Sequence, residues 1–126
     1  MSEEAKRVAV GFYEAFLRRD ADTALSYLGD RYVQHNPDVA DGPEAFLRMV
    51  EFLRVAYPDS HDEIKRVISE DDLVVIHSHS RRIADEPGAA IMNIFRVENG
   101  KVVEHWDVVQ LLHRRHLPPA NDNGVF

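Results

Sequence analysis

The sequence has no cysteine among its 126 residues. This absence excludes a disulfide framework, thiolate metal ligands and a cysteine nucleophile. Glycine and proline are also sparse, at six each, and no internal repeat, low-complexity segment or dividing linker interrupts the chain. Since a chain of this length can bury most of its unfolded surface, we expect a single domain spanning residues 1–126.

The chain also has few positive charges. It contains 15 basic and 22 acidic residues, so its net charge is -7. An acidic surface repels phosphate backbones, so the composition argues against a nucleic-acid partner. No apolar run approaches the ~18 residues of a membrane span, and the acidic start Met1-Ser2-Glu3-Glu4 does not resemble a signal peptide. We therefore expect a cytoplasmic protein with no membrane partner.

Apolar residues at three- and four-residue steps predict three helices in the first half of the chain. The first helix should run from Glu4 to Arg19. Asp20 or Asp22 should cap a short second helix, for which Gly29 offers a left-handed stop. The third helix should open at Gly42-Pro43-Glu44, since proline suits the first helical position.

Strand patterns fill the second half of the chain. They predict strands at Glu63 to Ser69, Leu73 to Ile83, Ala89 to Glu98 and Lys101 to Leu112. The last two flank Asn99-Gly100 and should form a hairpin, and the tail from Leu117 to Phe126 should be irregular. Helices followed by strands indicate an α+β fold.

The hairpin turn decides which polar side chains share a face. A two-residue loop would place Asn93 beside Trp106, whereas a three-residue loop with a glycine bulge would place Asn93 beside His105. We favour the three-residue loop, Glu98-Asn99-Gly100, because it pairs aromatic with β-branched residues across the strands. It predicts that Asn93, His105 and Asp107 lie on one otherwise apolar face. Such polar groups need partners or a pocket, whose apolar walls could raise the pKa of a carboxylate.

A second polar pattern is the pair His77 and His79, two residues apart in a predicted strand. With His105 and Asp107 they would offer ligands suited to zinc or a non-haem metal. Short pairs of this kind also occur by chance in a chain with seven histidines. A metal site is therefore the lesser hypothesis.

Three further side chains are candidates for the pocket. His35 follows the strand-like Tyr32-Val33 at the expected pocket mouth and could be poised near neutral pH. Alternatively, Asn36 shapes the turn and His35 is incidental. Tyr13 and Trp106 could line the pocket as aromatic walls, although an interface position is favoured for Trp106.

Five segments carry a likeness to a known family: Tyr32 to Pro37, the helix start Asp41-Gly42, Asn93 to Lys101, Val103 to Gln110, and Asn121 to Phe126. In order along the chain, they resemble the SnoaL-like polyketide cyclase group of the NTF2-like superfamily. The resemblance implies a cystatin-like cone, in which a curved antiparallel sheet packs on about three helices around a pocket. It also implies a homodimer, since dimers are common in that group.

The characterised members of that group close a ring by intramolecular aldol chemistry, without a cofactor and with an acid/base aspartate. The resemblance assigns this role to Asp107. In the similar ketosteroid isomerases, an aspartate matching His35 abstracts a proton and another matching Asn93 donates to the oxyanion. This chain departs from them at both positions, and an amide can donate a hydrogen bond but cannot transfer a proton.

The leading hypothesis is a cofactor-independent enzyme acting on a small hydrophobic carbonyl compound. Asp107, assisted by His105, would move a proton α to the carbonyl, for aldol cyclisation or isomerisation. Asn93, with His35, would stabilise the enolate oxygen. The other predicted substrate contacts are Tyr13, His77, His79 and Trp106. The alternatives are a non-catalytic small-molecule binding protein on the same fold and a metal-dependent enzyme using His77, His79 and His105.

Overall fold

The computed structural model describes residues 2–113 and 117–126. It contains three helices, α1 (Ser2–Leu17), α2 (Ala21–Tyr27) and α3 (Pro43–Ala56). The five strands are β1 (Leu28–Gln34), β2 (His61–Glu70), β3 (Leu73–Arg81), β4 (Ala89–Glu98) and β5 (Lys101–Leu111). The α+β class is confirmed, and the tail from Leu117 forms neither helix nor strand.

The strands form one sheet in the order β1-β5-β4-β3-β2. All neighbours are antiparallel except β1, which runs parallel to β5 with Leu28 opposite Val102. The expected antiparallel sheet is thus found in four strands, and the parallel β1 makes the whole sheet mixed. The pattern had indicated only Tyr32-Val33 as strand-like, because a short edge strand with mixed polarity gives a weak periodic signal.

The helix ends follow local capping chemistry. Asp20 caps α2 by accepting a hydrogen bond from the Thr23 amide at 3.2 Å, and Pro43 occupies the start of α3 as expected. Gly29 does not provide a left-handed stop, because α2 ends at Tyr27 and Gly29 already lies within β1. Within residues 2–113 and 117–126, no helix has the length and apolar character needed to cross a membrane.

An aromatic cluster joins the helices to the sheet. Phe12 of α1 lies 5.1 Å from Phe46 of α3 and 5.6 Å from Phe95 of β4, between ring centroids. Tyr32 of β1 meets Phe46 edge-on at 6.2 Å. Each buried ring contributes roughly 2–3 kcal/mol of transfer free energy. The cluster therefore sets the distance between α1, α3 and the inner face of the sheet.

The β4–β5 hairpin differs from the predicted loop. Glu98 pairs with Lys101, so the turn has two residues, and Asn99 and Gly100 adopt φ values of 52° and 73°. Positive φ at both central positions is the geometry that an Asn-Gly turn favours. The extra residue lies instead in β5, where the register shifts between Val97 opposite Val102 and Arg96 opposite Glu104. The predicted three-residue loop is therefore wrong.

The bulge nevertheless preserves the predicted face. Asn93 lies opposite Asp107, and Phe95 lies opposite His105. One extra residue reverses the alternation whether it lies in the loop or in the strand, because side chains alternate with period two. Asn93, His105 and Asp107 thus share the inner face of the sheet.

We predict that Gly88→Ala destabilises the fold more than Gly100→Ala. Both glycines have positive φ, at 77° and 73°, which costs an alanine roughly 1–2 kcal/mol. A Cβ at residue 88 would also lie 2.1 Å from the Ser80 carbonyl oxygen, whereas at residue 100 the nearest atom is 4.0 Å away. Urea unfolding should show a further loss of about 1–3 kcal/mol for Gly88→Ala. Equal losses would contradict the close approach at Gly88.

Candidate functional site

A cavity of about 360 Å³ lies between the inner face of the sheet and the helices. Its walls are largely aromatic and aliphatic, from side chains that include Phe12, Phe16, Phe46, Met49, Leu53, Ile91 and Phe95. Two polar groups interrupt these walls. The first polar group lies at β1, β5 and β4 and includes Gln34, Asn36, Asn93, His105 and Asp107. The second polar group lies toward the opposite edge of the sheet, near β2 and β3, and includes Arg19, Asp62, Ser80 and Arg82.

Asp107 is the carboxylate of the first polar group. Its Oδ2 accepts a hydrogen bond at 3.0 Å from Nδ2 of Asn36, in the loop that follows β1. The Asn36 backbone amide donates at 3.0 Å to Oε1 of Gln34, and its own Oδ1 accepts from the Asp38 amide at 2.9 Å. Three hydrogen bonds thus fix Asn36, and Asn36 in turn orients Asp107.

A chain of hydrogen bonds continues from Gln34 across the sheet. Nδ1 of His105 lies 2.7 Å from Gln34 Oε1, and Nε2 of His105 lies 3.0 Å from Asn93 Oδ1. The Asn93 amide lies 3.2 Å from the Tyr13 hydroxyl, which lies 2.8 Å from Oγ of the fully buried Ser78. Every buried polar side chain in this hydrogen-bond chain therefore has a partner, which the low dielectric of the interior requires.

The ring of His105 is held neutral. Burial lowers its pKa from 6.5 to about 4, although the charge of Asp107 acts in the opposite direction. A neutral imidazole carries one N–H and can donate to only one of its two oxygen neighbours. Since Gln34 Oε1 is fixed by the Asn36 amide, we assign the proton to Nδ1. Nε2 then accepts, so the Asn93 amide presents its nitrogen to Nε2 and its oxygen to the Tyr13 hydroxyl.

Tyr13 lines the cavity as predicted, but His35 and Trp106 do not. Trp106 lies opposite Ile94 on the outer face of the sheet, and its ring stacks on His35 at 4.8 Å and 2°. Nε2 of His35 lies 2.7 Å from Glu104 Oε2, a hydrogen bond that lowers the pKa of Glu104. The predicted contacts of His35 with an enolate and of Trp106 with substrate are therefore wrong for this structure.

His77 and His79 also lie on the outer face. Both rings pack against Phe126 from the tail, at 5.4 and 4.7 Å, and His79 Nε2 lies 2.7 Å from the Pro87 carbonyl. Their predicted contact with substrate is wrong because the cavity lies on the other side of the sheet. For the same reason His105 cannot join them as a metal ligand. Among the described residues, no three His, Cys, Asp or Glu side chains form a metal-binding group.

Sequence reasoning missed several polar residues of the cavity. Asn36 was considered only for its turn, and Gln34 and Ser78 were not selected at all. Alternation along β3 does place Ser78 on the face of Val74 and Ile76, which was the one available signal. The positions of Gln34 and Asn36 depend on the parallel pairing of β1 with β5, which no local pattern reveals.

The family of the chain follows from its sequence. The model of the SnoaL-like domain family matches residues 9–105, so the chain belongs to that family and the resemblance is confirmed. No curated protein sequence matches the chain.

Solved structures confirm the NTF2-like, cystatin-type fold. The chain is similar to a candidate ketosteroid isomerase from Kribbella flavida, with TM-score 0.76, 16% identity and coverage of 95% of this chain and 85% of that one. It is similar to IdmH, a candidate polyketide cyclase from Streptomyces antibioticus, with TM-score 0.66, 21% identity and coverage of 83% and 91%. A cystatin-fold protein from Novosphingobium aromaticivorans gives TM-score 0.72, 21% identity and coverage of 86% and 98%. At these identities the likeness shows the fold alone.

We predict that His105 makes the protein less stable in acid. The unfolded chain protonates this histidine near pH 6.5, whereas the folded chain does so only near about 4. Acid therefore favours the unfolded state, and His105 alone should remove about 3 kcal/mol of stability between the two values. Urea unfolding measured between these two pH values should show this loss of stability in the unchanged protein but not in His105→Gln. The control His61→Gln, which replaces an exposed ring, should keep the loss. An unchanged pH dependence in His105→Gln would contradict the neutral ring.

Proposed function

We propose that this protein is a cofactor-independent enzyme that moves a proton α to the carbonyl group of a small hydrophobic compound. The observation that carries the proposal is a carboxylate, Asp107, held by Asn36 at the wall of an aromatic cavity. The histidine beside it is neutral, so it does not neutralise the carboxylate as a fixed cation would. Asp107 is therefore the group to which we assign the abstraction of the proton.

In the first step, Asp107 takes a proton from the carbon next to the carbonyl. The electron pair of the broken C–H bond forms a C=C bond, and the carbonyl oxygen becomes an enolate oxygen. A hydrogen-bond donor fixed beside that oxygen stabilises the charge as it develops. Asn93 and Tyr13 line the cavity, and we assign this role to them in place of the predicted His35. Because they bond to each other in the free protein, one of them exchanges that partner for the enolate oxygen.

In the second step, the enolate carbon attacks another carbonyl carbon of the same molecule and a C–C bond forms. The new alkoxide takes back the proton that Asp107 holds, so the carboxylate is regenerated. Return of the proton to a different carbon would give isomerisation instead. Neither outcome consumes an oxidant, a reductant or a second substrate, which fits an aldol-type cyclase or an isomerase.

We predict that Asp107→Asn lowers proton abstraction roughly 10²–10⁴-fold, because the amide cannot accept the proton. The direct measurement is deuterium incorporation at the α carbon of 1-tetralone and a panel of related aromatic ketones in D₂O, followed by NMR. Asp30→Asn is the matched control, since it makes the same change at an exposed position of β1.

The Asp107→Asn protein should still bind these ketones and melt at a similar temperature. If no ketone of the panel exchanges faster with the unchanged protein than with Asp107→Asn, the enzyme proposal fails. Binding of a ketone that leaves unaltered would then identify a small-molecule binding protein.

The proposal includes a homodimer formed through the outer face of the sheet. This face carries exposed apolar side chains, with Ile68 61%, Met92 39% and Val108 71% exposed. Ile68 pairs with Val75 on β2 and β3, and Met92 pairs with Val108 on β4 and β5, so all four share that face. A second copy of the chain would cover these residues, as in the homodimer that the family resemblance implies.

We predict that Val108→Lys makes the protein monomeric, because a buried lysine without a partner is strongly unfavourable at an interface. Analytical ultracentrifugation should report a dimer for the unchanged chain. Val55→Lys is the control, since Val55 is 74% exposed on α3, away from the sheet. A dimer that persists in Val108→Lys would contradict the assignment of this face.

A further inference from the structure

Arg19 is the principal residue of the second polar group in the cavity. It follows the end of α1 with φ at 58°, and its guanidinium lies 4.9 Å from the centre of the Phe16 ring. Nη1 donates to the Phe16 carbonyl at 3.0 Å, and Nη2 donates to Ser60 Oγ at 3.2 Å. Nε is buried and has no hydrogen-bond partner. Arg19 thus lines the cavity with a guanidinium whose Nε is closed off from solvent, so a ligand would be held through Nη1 and Nη2.

Arg82 lies near Arg19 and also lines the cavity. Its guanidinium packs 5.4 Å from the centre of the Tyr57 ring. In the described ranges, neither Arg19 nor Arg82 forms a salt bridge. Asp62 is the acidic residue of this region, and its Oδ1 accepts from the Arg81 backbone amide at 3.1 Å. Burial lowers the pKa of Arg19 and the nearby charge of Asp62 opposes this shift, but without a salt bridge both guanidinium groups remain able to bind an anionic ligand.

The position of these arginines relative to Asp107 matters for what the cavity accepts. Asp62 is the second residue of the edge strand β2 and pairs with Ser80 of β3. Arg82 directly follows β3. Asp107 lies on β5, with β4 between it and β3. Aromatic side chains, including Phe16 and Phe95, line the same cavity as the two polar groups. A ligand that reaches both must have an apolar middle and a polar group at each end.

We propose that the cavity binds compounds carrying a carboxylate at the end opposite the reacting carbonyl, and that Arg19 and Arg82 bind this carboxylate. The planar guanidinium presents paired donors that match the two oxygens of a carboxylate. This inference rests on the proposed function, because Asp107 defines the reacting end. It narrows the substrate class to aromatic or alicyclic keto acids.

The test compares 2-naphthoate with methyl 2-naphthoate, in which a methyl group replaces the negative charge, by isothermal titration calorimetry. The unchanged protein should bind 2-naphthoate roughly tenfold or more tightly than the ester, because a charge-assisted hydrogen bond is the added interaction. Arg19→Gln and Arg82→Gln should each remove about tenfold of the affinity for 2-naphthoate and leave the ester unaffected. Arg48→Gln, which removes the same charge from an exposed position of α3, should change neither affinity.

Two results overturn the inference. Equal affinity of the unchanged protein for the two probes, or no binding of either, excludes a carboxylate site. Equal weakening of both probes by Arg19→Gln shows that Arg19 only supports the end of α1. The proposed function is tested separately, because 1-tetralone has no carboxylate. If the protein exchanges deuterium into 1-tetralone but binds 2-naphthoate no more tightly than its ester, only this inference is overturned. If it prefers 2-naphthoate but exchanges no ketone of the panel, only the proposed function is overturned.

Discussion

The hydrogen-bond chain along the inner face of the sheet is the constraint on which the cavity depends. It joins five elements, from Gln34 on β1 through His105 on β5 and Asn93 on β4 to Tyr13 on α1 and Ser78 on β3. A buried polar group without a partner costs about 1–3 kcal/mol, so removing one member leaves its neighbours unsatisfied. The chain therefore fixes α1 over the sheet. Burial keeps His105 neutral beside Asp107, and this relation gives the carboxylate its proposed role.

Much of this arrangement could be predicted from local sequence. Helical spacing placed the apolar stripe of α1, and Asn99-Gly100 located the hairpin within a residue. The face shared by Asn93, His105 and Asp107 was predicted through the wrong loop. It survived because the loop of three residues and the bulge in β5 each add one residue to the same hairpin. Because side chains alternate between the two faces of a strand, the face of a residue depends only on whether the number of added residues is odd or even.

The errors have a common physical cause, which is that a side chain's face depends on strand pairing that is not local. His77 and His79 follow the alternation of β3 correctly, but sequence does not show which face of a strand meets the helices when both faces contain apolar residues. His35 lies just beyond β1, whose parallel pairing with β5 brings its ring onto Trp106 outside the cavity. Asn36, which was considered only as a turn residue, contacts Asp107 for the same reason.

The most direct test of the central claim is a crystal structure of the protein with 2-naphthol, a planar phenol that resembles the enol of a bicyclic ketone. The account predicts that the ring lies in the aromatic cavity against Phe95, with its oxygen within hydrogen-bond distance of Asn93 or Tyr13. The Asp107 carboxylate should then lie beside the ring carbon next to the C–O bond. A ligand bound on the outer face against Trp106 and His35, or a cavity that stays empty at saturating ligand, would contradict the account.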